Sequence, residues 1–95
     1  MRVDEKLAEL AERYGQFLGE PVSLLGGKAV YRIREYIIVV DRMGVYPGSR
    51  IVSVRKGDSI VYISPFVKMG AFVLDFEVYD RIKNIPSDPK TLEKI

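Results

Sequence analysis

Residues 31–42 read YRIREYIIVVDR, and the way this stretch folds decides how the rest of the chain is arranged. Its first half is striped with arginine, glutamate and tyrosine. Its second half holds four consecutive aliphatic residues, Ile37 to Val40. β-Branched and aromatic residues dominate, so strand is the local expectation. Side chains alternate across a strand. Read as one strand running from Lys28 to Val40, the segment sets Val30, Arg32, Arg34 and Tyr36 on one face. Tyr31, Ile33, Glu35 and Ile37 take the other. From Ile37 to Val40 both faces are apolar, which predicts burial on both sides. An unbroken strand of this length is unusual, and a bulge near Glu35 is expected to bend it.

Upstream, Gly26-Gly27 supplies the positive φ angles of a two-residue turn and predicts a hairpin with a short strand at 21–25. Before it, VDEKLAELAERYGQFLG repeats apolar residues at helical spacing: Val3, Leu7, Leu10, Ala11, Tyr14, Phe17 and Leu18. That stripe predicts an amphipathic helix over 4–18, with Asp4 as N-cap and Gly19 followed by Glu20-Pro21 as its stop. Downstream, RIVSVR and SIVYIS read as strands joined at Gly57-Asp58, and Pro47-Gly48 as a type II turn. FVLDFEVY alternates cleanly and predicts a last strand, with Phe72, Leu74, Phe76 and Val78 inward. Asp88-Pro89 is a helix-start signal for a short C-terminal helix.

The expectation is a single α+β domain over 1–95. A helix at 4–18 packs on a four- to five-stranded antiparallel meander sheet within 21–80, and a tail follows at 81–95. One helix covers roughly half of one face of such a sheet, at about 10 Å of helix width against about 24 Å of strands. Something else must shield the remaining aliphatic surface. A second copy is the simplest candidate, so a homo-oligomer is expected.

The 95 residues contain no cysteine and no histidine. This excludes disulfides, thiolate catalysis, and serine–histidine or cysteine–histidine nucleophiles. No apolar run approaches the roughly 20 residues of a membrane span, so a cytoplasmic protein without membrane contact is expected. Asparagine and glutamine occur once each, among abundant Arg, Lys and Glu, a composition resembling that of heat-adapted proteins. Net charge is only +2, but residues 28–70 carry eight basic and three acidic groups.

That basic middle third supplies the candidate site. Arg32, Arg34, Arg42, Arg50, Arg55 and Lys56 are assigned to phosphate contact, and Tyr36, Tyr46 and Tyr62 to base stacking. Single-stranded nucleic acid needs this mixture, because cations neutralise phosphates while rings stack bases. KMGAFVLDF does not match the aromatic strand of RNA-recognition-motif domains. Asp75 stands where the last ring belongs and Gly70 where the first does. Asp75 and Glu77 share one face of the predicted last strand, which suits solubility at a sheet edge better than metal or acid–base chemistry. No catalytic, cofactor or metal site is expected. The functional expectation is a non-enzymatic binder of single-stranded DNA or RNA. The alternative is a protein-interaction or assembly subunit using the same face.

Overall fold

The computed structural model describes residues 2–20, 27–41 and 49–95, with the backbone alone for 71–74. Its elements are helix α1 (Val3–Tyr14), strands β1 (Gln16–Gly19), β2 (Lys28–Ile33), β3 (Tyr36–Asp41), β4 (Ile51–Lys56) and β5 (Ser59–Ile63), helices α2 (Pro65–Leu74) and α3 (Phe76–Ile82), and a 3-10 helix (Pro89–Lys94). The strands form one antiparallel sheet in the order β1-β2-β3-β4-β5, the expected meander. The α+β class is as expected, but the elements that fill it differ from the sequence reading in three places.

The first is the 31–42 stretch. It is not one bent strand but two strands joined by a tight turn at Arg34-Glu35, with Ile33 paired to Tyr36. The turn is a two-residue hairpin loop, which needs positive φ, and Arg34 supplies it at φ +54°. This resolves the contrast between the two halves. Arg32 pairs with Ile37 and Tyr31 with Ile38, so each half alternates and the apolar residues of β3 fall on both faces in turn. A non-glycine residue in the left-handed region is strained. Arg34→Gly is therefore expected to raise stability by about 1 kcal/mol. A urea midpoint that falls instead would contradict this turn geometry.

The second difference lies at the N-terminal side. α1 stops at Tyr14 and 16–19 is strand, where the apolar stripe predicted helix through Leu18. Arg2 rather than Asp4 is the N-cap residue, and it makes no side-chain capping bond. Asp4 lies in the first turn, 1% exposed, its Oδ1 accepting from Glu5 N–H at 2.9 Å.

The third is the segment after β5. Residues predicted as a last strand over 72–79 are helical, split between α2 and α3. Asp75 breaks and restarts the helix: its carboxylate accepts from the N–H groups of Glu77 and Val78 and caps α3. The Asp75–Glu77 pair is thus a helix start rather than an exposed strand face. The Gly57-Asp58 turn and the Asp88-Pro89 helix start are as expected, Asp88 accepting from Lys90 N–H. The predicted strand at 21–25 and the Pro47-Gly48 turn lie outside the described residues, as does Gly26.

The core lies between α1 and one face of the sheet. Leu7, Ala8 and Ala11 bring α1 down onto Ala29, Tyr31, Ile38, Val40, Ile51, Val54 and Tyr62. Leu92 of the 3-10 helix, 2% exposed, closes the cluster from the C-terminal end. Arg50, just before β4, ties the sheet to α1. Its Nη2 stands 3.1 Å from Glu5 Oε1 and its Nη1 2.8 Å from Glu12 Oε1. The outer edge of β5 is occupied by the returning chain, Ile63 N–H donating to Pro86 O at 3.0 Å.

Candidate functional site

Strand register sorts the sheet into rows, and the rows fix which side chains can act together. On the α1 side runs Phe17–Tyr31–Ile38–Val54–Tyr62. On the opposite face run Gln16–Arg32–Ile37–Arg55–Ile60 and Gly19–Val30–Val39–Ser53–Ile63. Adjacent strands lie about 4.8 Å apart, which sets Arg32 and Arg55 about 10 Å apart with Ile37 between them. Both arginines are exposed, and neither makes an ion pair among the described residues. Ile60 is 39% exposed; Val30, Ile37 and Val39 are half-buried. The arrangement alternates cationic and apolar side chains, with Ile37 between the two guanidinium groups and Ile60 beyond Arg55.

The nine residues assigned from sequence do not form one surface. Arg32 and Arg55 share the open face. Arg34 sits in the hairpin turn beyond its end, exposed. Tyr36 pairs with Ile33 and Lys56 and belongs to the α1 side, not to the face of Arg32. Lys56 reaches Glu35 Oε1 at 3.6 Å and stands 5.9 Å over the Tyr36 ring, so its charge is already engaged. Arg50 is held by Glu5 and Glu12. Burial works against its charge, but the two carboxylates more than offset this and hold its pKa above the ordinary arginine value. It is a structural tie, not a phosphate contact. Tyr62 is 0% exposed and cannot stack on a base. Arg42 and Tyr46 lie outside the described residues.

Tyr62 was misplaced by a register shift. Arg55 pairs with Ile60 but Val54 pairs with Tyr62, so β5 spends one extra residue against β4. The bulge turns Ile60 to the open face and Tyr62 into the core. Strict alternation along SIVYIS sets those two residues on one face and misses this. The sequence reading also overlooked Ile37 and Ile60 as surface residues. A turn at Arg34-Glu35, once recognised, would have paired Ile37 with Arg32.

Among the described residues no group of three or more acidic side chains is placed to hold a metal ion, and no helix is long and apolar enough to cross a membrane. Comparison with protein-family models gives no match, and comparisons with curated proteins and with solved structures give none.

Proposed function

We propose that this chain is a non-enzymatic assembly subunit that docks a second copy of itself through the sheet face opposite α1. The observation that carries the reading is the row Arg32–Ile37–Arg55–Ile60, apolar and cationic by turns, on the face away from the core helix. Protein interfaces favour aliphatic surface with arginine. Ile63 and Asp41 on that face are already buried within the chain, so its open part is the end around Arg32, Ile37, Arg55 and Ile60. Isologous pairing lets each arginine lie toward the partner's Gln16 or Ser53, or out to the rim, rather than against its own counterpart.

A second reading, single-stranded nucleic acid on the same face, draws on the exposed Arg32 and Arg55 and the +5 balance of residues 28–70. It ranks below the first because no ring stands on that face among the described residues: Tyr31 and Tyr62 are in the core row, and Tyr36 is on the α1 side. Phosphate contacts without stacking lose roughly 1–3 kcal/mol per base.

Sedimentation velocity separates the two. The wild-type protein should sediment as a dimer at low and at high salt. Ile37→Asp and Ile60→Asp should sediment as monomers with unchanged circular dichroism, since neither side chain lies in the core. A wild-type monomer at every accessible concentration would end the assembly reading. Fluorescence anisotropy with labelled oligo-dT and oligo-U tests the second: phosphate binding would weaken steeply with salt, and each arginine replaced by alanine would lower the salt slope by about one.

A further inference from the structure

Away from the sheet face, the starts of α1, α2 and the 3-10 helix surround a cavity of about 350 Å³. This lies within the roughly 300–1,000 Å³ of small-molecule sites. Two buried polar side chains at this cavity lack full partners. Tyr62 is wholly buried, yet its hydroxyl makes no hydrogen bond of normal geometry among the described residues. Burial raises its pKa, the nearby Ser49 hydroxyl lowers it, and the charges of Asp4 and Asp88 raise it further. Tyr62 lines the cavity together with Ser49 and Asp4, and Asp88 adjoins Pro89 in its wall. The phenol stays protonated at neutral pH.

Asp4 is the other. It is 1% exposed, with Oδ1 engaged by Glu5 N–H and by Arg2 Nε at 3.4 Å. Its Oδ2 has no hydrogen-bond partner among the described residues. Arg2 is a thin counter-charge, its side chain being 61% exposed. A buried carboxylate is costly unless paired and hydrogen-bonded. The serines on the wall are already partly satisfied: Ser49 Oγ accepts from Ile51 N–H and Ser64 Oγ from Phe66 N–H.

We infer that this cavity binds a small primary ammonium ion with an apolar body, its nitrogen on Asp4 Oδ2 and Tyr62 Oη and its hydrocarbon against Val3 and Phe66. An ammonium group carries three donors on one compact charge, which matches two inward oxygens. A carboxylate ligand would be repelled by Asp4. A quaternary ammonium would leave Tyr62 without a donor. Among the lining residues Asp4 and Glu93 balance Arg2 and Lys90, so the preference for a cation rests on the two inward oxygens.

The probe is 3-methylbutylammonium, titrated into the full chain by calorimetry and by ¹H–¹⁵N spectra, beside 3-methylbutanol and 3-methylbutanoate. The amine should saturate, moving the amides of Val3, Phe66 and Lys90, and should bind at least about tenfold more tightly than the alcohol or the acid. Asp4→Asn should weaken it roughly ten- to hundredfold, the weight of a charge-assisted hydrogen bond, and Tyr62→Phe by a smaller factor. Tyr62→Phe keeps the ring and the core packing, so it reports on the hydroxyl even where Asp4→Asn does not fold. No saturable shift, an acid that binds as tightly as the amine, or a folded Asp4→Asn that binds normally would each overturn the site.

Discussion

Replacing Ile38 by alanine is expected to lower the unfolding free energy by about 2–5 kcal/mol. Ile38 is 0% exposed and stands mid-row, between Tyr31 and Val54. In the same core cluster the helix contributes Ala8 and Ala11, both 0% exposed. Those methyl groups let α1 approach the sheet closely, but they cannot extend to refill a void. A cavity that does not collapse keeps both the lost transfer energy and the lost contacts, so the upper half of the range applies. Ile37→Ala is the paired control. The next residue along β3 faces the other way and is half-buried, and its truncation should cost about 1 kcal/mol in the monomer. Urea denaturation of the two variants checks the claim, and equal losses would mean that the two faces are not distinguished as the register requires.

Gly15→Ala is the second large effect, expected to cost about 1–3 kcal/mol or more through overpacking. The backbone angles at Gly15, φ −76° and ψ 157°, suit any residue. The obstacle is space. A Cβ there would stand 2.5 Å from Ala11 O, and 3.2 Å from both Arg32 O and Tyr31 Cβ. Two of these are backbone oxygens that cannot swing aside. Gly15 is where the chain leaves α1, with its N–H still bonded to Ala11 O, and enters β1 against β2. A side chain would push helix and sheet apart at this junction. Gly19 offers a contrast, because it has φ +132° and open space around it, so substitution there strains the backbone without a clash. Thermal melts of both alanine variants should show the larger drop for Gly15. An unchanged melting temperature for Gly15→Ala would refute the close junction.

What was legible in the sequence follows from how local the cause is. The first three turns of α1 were readable because Leu7 and Ala11 repeat at helical spacing and need only one flat partner. The Gly57-Asp58 turn and the Asp88 cap were readable because their chemistry sits in two adjacent residues. The Arg34-Glu35 hairpin was not, since arginine is a poor choice for positive φ and carries no turn signal. The end of α1 was hidden because Phe17 and Leu18 continue the helical stripe in sequence, while the reason for stopping is crowding at Gly15 by β2. Residues 72–79 satisfy both periods: Phe72 and Phe76 are four apart as well as on one strand face. Asp75 capping Glu77 and Val78 decides for helix, a cue the alternation masks. Within the candidate site, Arg32 and Arg55 came to one face, whereas Tyr62 was lost to a bulge that only pairing with β4 reveals.

Leu92 seated beneath α1 has a consequence for how the molecule comes into being. α1 cannot finish its packing until Leu92 is in place, because part of its seat is supplied by a residue far away in sequence. The sheet hairpins, each closed by neighbours in sequence, are free to form earlier. Final locking of the fold thus waits on contacts between residues far apart in sequence, the slow step that such contacts impose.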